Sequence, residues 1–296
     1  MYRLPTLAVR CLAACIPALG LLVAFGPAAS ASAVRAPSVG HVRSGAPALA
    51  ARVALQQFLA GRHGFDHLVH VDLHGLGLSG QADAEGSSQS TNWSGYADTG
   101  GGFSAVSGSW TQPAADCSGF STSVTSFWVG IDGTGSSTVE QDGTVAVCLF
   151  GTAHYFSWWE MDPTNVMQLV GYSVQPGDAI TAAVTRSGTS YTLTLTDSTH
   201  PADSFSTTQT CSDCDNASAE WIAEAPTVLF GVTPLANFGT WDLNNATATS
   251  GSVSGAIPAF TGGAVTMVDS SGNVQAQPGA LSTDGSAFTD TWLRGS

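Results

Sequence analysis

The chain contains no lysine, and basic side chains almost disappear after its first 88 residues. From Gln89 to Ser296 only Arg186 and Arg294 are basic, against 18 Asp and Glu residues. A surface this acidic repels phosphate groups, so nucleic acid is not expected as a partner. The same balance would suffice to keep an exported protein soluble. We favour adaptation to acid, because carboxylates that become protonated at low pH no longer repel one another.

Histidine and the common catalytic motifs are also scarce in this part of the chain. Only His154 and His200 occur after residue 88, and there is no H-E-x-x-H, G-x-S-x-G or nucleotide-binding loop. Neither histidine is expected to be catalytic, since His200 lies in a turn-like segment and His154 lies just before an aromatic run. Carboxylates, amides and aromatic rings remain as the groups that could carry chemistry. No metal and no organic cofactor is expected.

A long uncharged apolar run, residues 12–25, follows Arg3 and Arg10 and precedes the small residues Ala31-Ser32-Ala33. This order is typical of a secretory signal peptide. The run is too short for the alternative, a transmembrane anchor. We therefore expect residues 1–33 to be removed after Ala33, and the protein to be secreted, extracellular and free of the membrane afterwards.

Residues 34–88 differ in composition from the rest of the chain. They contain four Arg and five of the seven His, and they are neutral overall at pH 7. Residues 51–63 look partly helical, and the polar, acidic residues 81–90 are typical of a linker. We expect a partly helical or disordered propeptide and linker at 34–88, followed by one domain at 89–296. The alternative is a disordered linker whose histidines are incidental.

Four cysteines remain after the signal peptide: Cys117, Cys148, Cys211 and Cys214. An even number in an exported chain predicts two disulfides, for which three pairings are possible. We favour Cys117–Cys148 with Cys211–Cys214, because the second pair is close in sequence. A metal or redox site at the C-x-x-C pair is disfavoured, because neither a second C-x-x-C nor a nearby His accompanies it.

The sequence from residue 89 onward has almost no helical periodicity. Short runs of β-branched and aromatic residues recur between Gly, Ser, Asn and Asp turns, and residues 191–196 alternate as a half-buried strand should. Strands are expected at 123–130, 179–185, 190–196 and 264–268. Many short strands predict an all-β sandwich of two antiparallel sheets, although their spacing does not distinguish a jelly roll from other sandwiches.

Five of the eight Trp residues fall in four segments that also contain carboxylates or amides. The segments are 92–96 (NWSGY), 128–143 (WVGIDG, then TVEQDG), 155–163 (YFSWWEMDP) and 219–226 (AEWIAEAP). The rings could simply fill the inner faces of the sandwich. Alternatively, they floor a cleft edged by carboxylates, which would suit an extended peptide or a sugar chain.

These four segments, in this order, resemble those of the glutamic peptidases, the eqolisin or scytalidoglutamic peptidase family, and in particular its bacterial members. The resemblance implies two curved antiparallel sheets of concanavalin or jelly-roll type with a cleft on one concave face. The family's catalytic Gln falls on Gln141 and its catalytic Glu on Glu224. Periodicity alone does not separate Glu224 from Glu220, because residues four apart on a strand face the same side.

Further residues are expected to line or support the cleft. Some match family positions and others lie in the same segments: Trp93, Trp128, Asp132 and Glu160, then Tyr155, Trp158 and Glu220. The chain has Met161-Asp162 where the family often has further aromatics, so its substrate pocket is expected to differ there.

The resemblance implies a pepstatin-insensitive acid endopeptidase that acts on proteins or peptides and is held inactive by its own propeptide. Glu224 would activate water as general base and acid, and Gln141 would stabilise the oxyanion. A monomer is the default. The alternatives are a β-sandwich glycoside hydrolase, with Glu160 or Glu140 paired with Glu224, and a non-catalytic carbohydrate-binding protein. The E-x-D-x-x-E pattern of common jelly-roll glycosidases is absent.

Overall fold

The computed structural model describes residues 87–119, 122–170, 174–228 and 231–295. These residues form eighteen β-strands and two short 3-10 helices, Pro201–Asp203 and Ile257–Ala259. The strands are β1 Ser88–Ser90, β2 Trp93–Thr99, β3 Phe103–Thr111, β4 Ser123–Asp132, β5 Val139–Leu149, β6 Thr152–Asp162, β7 Asn165–Leu169, β8 Ala179–Ser187, β9 Ser190–Asp197, β10 Phe205–Thr210, β11 Ser218–Glu224, β12 Thr227–Val228, β13 Gly231–Val232, β14 Thr240–Ser250, β15 Val253–Gly255, β16 Thr261–Val268, β17 Val274–Pro278 and β18 Phe288–Trp292. Within these ranges, no helix has the length and apolar character needed to cross a membrane.

Alternating sequence patterns produce these strands. In β9 the side chains of Tyr191, Leu193 and Leu195 are buried, whereas Thr192 and Thr194 between them are partly exposed. β-Branched and aromatic residues favour this extended, half-buried geometry. The four strands expected from the sequence are confirmed as parts of β4, β8, β9 and β16.

The strands form a sandwich, as predicted. Hydrogen bonds follow the order β10-β9-β8-β3-β14-β18-β17-β16-β2-β11-β4-β5-β6-β7, with β15 beside β14 and β1 beside β16. This path folds over on itself, because β4 packs across β3 and β8, and β5 packs across β8 and β9. One layer is therefore β10-β9-β8-β3-β14 and the other is β2-β11-β4-β5-β6-β7. The sequence did not predict that a continuous ladder through β18, β17 and β16 would join them.

Two apolar clusters lie on the two faces of the second layer. The larger one fills the space between the layers and contains Phe127, Trp221 and Trp241, all fully buried. The smaller one, here called the outer cluster, contains Trp93, Ala97, Val124, Trp128, Val145, Val147, Phe156, Trp158, Met167, Ile222 and Val265. Successive residues of a strand point to opposite faces, so the outer cluster marks which side chains project away from the core.

Two disulfides stabilise the loops of the sandwich. Cys117 pairs with Cys148 across 31 residues, and Cys211 pairs with Cys214. The favoured pairing is confirmed. The C-x-x-C sulfurs are bonded to each other, which leaves no thiolate to ligate a metal.

The sheet begins slightly earlier than the sequence indicated. Ser88–Ser90 form β1, which pairs in parallel with β16, so the end of the segment predicted as a linker, 81–90, is a strand. A run of Ser and Gln lacks the apolar alternation that marks a strand, and only the edge offered by β16 makes it one. The predicted signal peptide 1–33, the helical stretch 51–63 and nearly all of the predicted propeptide lie outside the described residues.

Candidate active site

The candidate polar residues lie on adjacent strands of the second layer, on the face of the outer cluster. β4 lies between β5 and β11, and Gly130 is the register partner of both Gln141 and Glu220. Glu160 on β6 is the next residue in this row, opposite Gln141. Glu224 lies four residues further along β11 and shares the face of Ile222. Three of the four predicted segments therefore contribute to these strands, and the fourth, 92–96, lies beside Glu224 on β2.

The glycine at the centre of this row allows close approach. A Cβ added to Gly130 would lie 3.0 Å from Cζ3 of Trp128 and 3.1 Å from Cβ of Gln141. Both contacts are tighter than ordinary packing distances. Any larger residue would therefore push apart the indole ring and the amide.

The carboxylate of Glu224 is held between two N–H donors. Nε1 of Trp128 donates to its Oε2 at 2.9 Å, and Nδ2 of Asn92 approaches its Oε1 at 3.5 Å. Trp93 packs edge-on against Trp128 with ring centroids 4.9 Å apart, which fixes the donor indole. Hydrogen bonds to a carboxylate favour its ionised form.

Asn92 is a site residue that sequence reasoning missed, although it begins one of the four segments. Its amide is oriented by Ser90, whose Oγ donates to Asn92 Oδ1 at 3.0 Å, so the Nδ2 end faces Glu224. Its backbone carbonyl accepts from the N–H of Ala225 at 2.8 Å. β1 and the start of β2 thus help to position the end of β11.

The amide of Gln141 is oriented by Glu160. Nε2 of Gln141 donates to Glu160 Oε2 at 2.8 Å, and Glu160 Oε1 accepts from the backbone N–H of Met167 at 2.7 Å. One N–H of the amide is left for another acceptor, and Gln141 Oε1 has no hydrogen-bond partner among the described residues. Glu160 therefore positions the amide of Gln141.

Glu220 and Glu224 differ in their surroundings, although periodicity placed them together. Glu220 is fully enclosed, and its Oε1 accepts from the backbone N–H of Thr134 at 3.1 Å. Burial raises the pKa of Glu220 well above its ordinary value. At acid pH this carboxyl is protonated, so it cannot act as a base there.

Asp132 supports the site from the end of β4. Its Oδ1 accepts from the N–H of Ala217 at 2.6 Å, and its Oδ2 accepts from the N–H of Asn216 at 2.7 Å and from Oγ1 of Thr138 at 3.2 Å. These bonds tie the residues before β11 to the turn between β4 and β5. Asp132 therefore orders the frame that carries Glu220 and Glu224.

Glu140 points away from the face of the outer cluster, because it is adjacent to Gln141 on β5 and successive residues of a strand face opposite sides. Its Oε1 lies 2.8 Å from Sγ of Cys214. Burial, reinforced by the charge of Asp132, raises the pKa of Glu140 to about 10. A glycosidase pair of Glu140 and Glu224 is therefore wrong, since the two side chains lie on opposite faces of the layer.

Two aromatic residues predicted at the cleft lie elsewhere or beneath it. Tyr155 belongs to the core between the layers, and its hydroxyl accepts from the N–H of Ala115 at 2.8 Å. The expectation that Tyr155 lines or supports the cleft is wrong, because odd-numbered residues of β6 face inward. Trp158 is on the outer face but is fully buried, so it supports the outer cluster from within. Trp93 and Trp128 lie in the outer cluster.

The amino-acid sequence matches a known family model and characterised relatives. The model of the Peptidase A4 family covers residues 91–289. Aspergillopepsin-2 of Aspergillus niger is 28% identical over 199 residues, which cover 60% of this chain and 69% of that protein. Scytalidopepsin B of Scytalidium lignicola is 32% identical over 149 residues, which cover 49% of this chain and 55% of that protein.

Solved structures share the fold. A crystal structure of scytalido-glutamic peptidase with a transition state analog inhibitor aligns with a TM-score of 0.59 and 24% identity, covering 69% of this chain and 98% of that one. The structure of aspergilloglutamic peptidase from Aspergillus niger aligns with a TM-score of 0.50 and 25% identity, covering 58% and 99%. Because the family model spans nearly the whole sandwich, the chain belongs to the Peptidase A4 family and is a peptidase.

Proposed function

We propose that the protein is a secreted acid endopeptidase in which Glu224 and Gln141 form the catalytic pair. The observation that carries this proposal is the difference in surroundings between Glu220 and Glu224, two carboxyls on β11. Both carboxyls are buried, but Glu224 accepts hydrogen bonds from an indole and an amide N–H, whereas burial raises the pKa of Glu220 well above its ordinary value. Because side-chain N–H donors stabilise a carboxylate, we assign the base to Glu224.

Glu224 begins the reaction as general base. It takes a proton from a water molecule, which attacks the carbonyl carbon of the scissile peptide bond, and a tetrahedral oxyanion forms. Glu224 then gives the proton to the leaving nitrogen as the C–N bond breaks. One carboxylate therefore serves both proton transfers.

Gln141 stabilises the oxyanion. Because Glu160 holds one end of the amide, the remaining N–H is available to the developing negative charge, and Oε1 is available to orient the attacking water. Since the amide is neutral, it also adds no carboxylate charge to a face that already carries Glu224.

Secretion and zymogen control are part of the same proposal. Residues 1–33 have the composition of a signal peptide, and the His-rich residues 34–88 act as a propeptide that covers the cleft. As pH falls, the histidines gain charge and the carboxylates of the domain lose theirs, which changes the attraction between them. Cleavage upstream of Ser88 preserves β1, and N-terminal sequencing of the acid-activated protein checks this boundary.

Two variants test the catalytic pair, and a third is their control. Glu224→Gln should lower kcat by about 10²- to 10⁴-fold, as expected for loss of a general base. Gln141→Ala should lower it by about 10²- to 10³-fold, as expected for loss of one oxyanion donor. Glu220→Gln is the matched control and should retain kcat, because an amide resembles the protonated acid already present.

The assay follows cleavage of denatured protein between about pH 2 and pH 5 with pepstatin, a serine reagent and a chelator present. Circular dichroism verifies that each variant is folded. Full activity of Glu224→Gln, or equal losses in Glu220→Gln and Glu224→Gln, would refute the assignment. Cleavage of a β-glucan by the wild type would indicate the glycosidase alternative, and glucan binding alone would indicate the carbohydrate-binding alternative.

A further inference from the structure

A cluster of side chains of the kinds that ligate metals lies in the first layer, at the open end of the β8–β9 hairpin. Asp178 immediately precedes β8, and Asp197 is the last residue of β9, paired with Ile180. After Asp197 the chain turns through His200 into the short helix Pro201–Asp203. We refer to Asp178, Asp197 and His200 as the hairpin-end cluster.

The three side chains meet closely. Nδ1 of His200 lies 2.9 Å from Oδ1 of Asp178. One carboxylate oxygen from each Asp and one ring nitrogen of His200 all lie within 4.8 Å of one another. Both carboxylates are buried, whereas the His200 side chain is 52% exposed. The cluster therefore consists of two buried carboxylates, and the half-exposed His200 separates them from solvent.

Backbone groups hold both carboxylates in place. Oδ1 of Asp197 accepts from the N–H groups of Thr199 and His200, each at 2.8 Å. Oδ2 of Asp178 accepts from the N–H of Gln175 at 2.6 Å. Such bonds orient carboxylates in the way that outer-shell partners orient metal ligands.

One atom of the cluster is left without a partner. Oδ2 of Asp197 is buried in a side chain with no exposed surface and accepts no hydrogen bond within the described part of the chain. Buried carboxylate oxygens are strongly disfavoured unless they are paired or coordinate a metal. The capping bonds use only Oδ1, so they leave Oδ2 available to a ligand.

The surrounding charges do not supply that ligand. Asp203 adds a third carboxyl that interacts with the charges of Asp178, Asp197 and His200. Arg186 is at the opposite end of the hairpin, beside Tyr191, and Arg294 pairs with Asp269 at 3.4 Å. Among the described residues these are the only Lys or Arg side chains, so a single imidazole faces three carboxyls.

We propose that the hairpin-end cluster is a structural site for a divalent transition metal of the Zn²⁺ class. The ligands are a carboxylate oxygen of Asp178, Oδ2 of Asp197 and a ring nitrogen of His200, with solvent in the fourth position. The separation of 2.9 Å between His200 and Asp178 is close to the roughly 3.3 Å between neighbouring ligands of a tetrahedral zinc with bonds of about 2.0 to 2.1 Å. The imidazole selects zinc over calcium, which prefers oxygen ligands.

A bound metal would fasten the turn after β9 to the start of β8. It would join Asp178 to the residues that lead into Pro201–Asp203, in addition to the hydrogen bonds that Ala179 makes with Ser198 and Thr199. Its contribution would be to stability, because it links two loops, and it is independent of the proposed catalytic pair.

The test uses the metal-stripped full-length protein at pH 7. Calorimetric titration with ZnCl₂ should be saturable, and His200→Ala should bind one zinc fewer per chain than wild type. This difference separates the cluster from the histidines of residues 34–88. In a thermal scan, zinc at about 100 times its Kd should raise Tm by roughly 5 to 10 °C, and His200→Ala should lose this shift.

His154→Gln is the matched control, since it changes the other histidine of the described part and should keep both the stoichiometry and the shift. Asp197→Asn keeps an oxygen for the capping bonds and should weaken zinc binding at least tenfold. If Asp197→Asn does not fold, His200→Ala alone tests the proposal, because the His200 side chain is half-exposed and its loss should not unfold the protein. An unchanged stoichiometry and Tm shift in His200→Ala would overturn the proposal, as would an equal Tm shift with CaCl₂.

Discussion

Asp290 makes the stability of the sandwich depend on pH in the direction opposite to that of most proteins. Its side chain on β18 is fully buried, and Oδ1 accepts from Oγ of Ser94 at 2.9 Å. Oδ2 has no partner among the described residues. Burial, opposed by the Ser94 hydrogen bond, raises the pKa of Asp290 from 3.8 to about 7.

The sign follows from proton binding. Below pH 3.8 the carboxyl is protonated in both the folded and the unfolded chain, so stability does not vary with pH through this group. Between pH 3.8 and about 7 the folded chain keeps the proton and the unfolded chain loses it, so the free energy of unfolding falls as pH rises. At about 1.4 kcal/mol per pH unit, the loss reaches about 4 kcal/mol near pH 7.

Other buried carboxyls act in the same direction. Burial raises the pKa of Asp98 to about 7 and that of Glu140 to about 10, and it raises the pKa of Asp142 well above its ordinary value. The described domain is therefore expected to be most stable in acid and to weaken steeply towards neutral pH.

Urea unfolding at pH 3.5, 5, 6 and 7 measures this effect, on a Glu224→Gln background so that self-digestion does not intervene. Asp290→Asn should flatten the decline by about 1.4 kcal/mol per pH unit between pH 4 and pH 7. The control is Asp284→Asn, because Asp284 is exposed and hydrogen bonds from Ser282 lower its pKa. A stability that is constant or rises from pH 4 to pH 7, or a decline of equal slope in Asp290→Asn, would refute the reasoning.

Two further predictions concern the N-terminal strand and the long disulfide. Asn92→Ala should lower kcat about tenfold and raise the acid-side pKa of the pH–rate profile, because Glu224 loses one N–H donor. An unshifted pH–rate profile would contradict this prediction. The same shift in the control variant Thr91→Ala would contradict it as well. Replacing Cys117 and Cys148 by Ser should lower the free energy of unfolding by about 3 to 4 kcal/mol in urea, since the bond closes a loop of 31 residues. No change in the urea midpoint would show that the disulfide does not restrict the unfolded chain.

Sequence patterns predicted the fold well where burial alternates residue by residue. The alternation in β9 and the apolar run in β4 were sufficient to locate those strands. The pairing of Cys211 with Cys214 followed from their short separation. β1 could not be predicted, because Ser88 to Ser90 carry no apolar pattern and become a strand only by pairing with β16.

The grouping of the candidate site was also foreseeable in part. The ordered segments brought attention to Gln141, Glu160 and Glu224, and these side chains share one face. The role of Asn92 was not visible, because its contact with Glu224 joins residues 132 positions apart. Tyr155 was misplaced because a segment rich in aromatics does not reveal which of them face inward.

The sequence by itself predicted the all-β architecture, favoured the observed disulfide pairing among three, and indicated carboxylates and amides as the groups that could carry chemistry, because composition and strand period are local properties. Only the tertiary structure decided that burial raises the pKa of Glu220 while Glu224 accepts N–H groups from Trp128 and Asn92, and that Glu140 faces the space between the layers. It also brought Asp178 next to His200 at the end of a hairpin. The physical reason is that the strand period fixes which residues share a face. The packing of the layers decides which face is shielded from solvent and which hydrogen-bond donors reach a carboxylate.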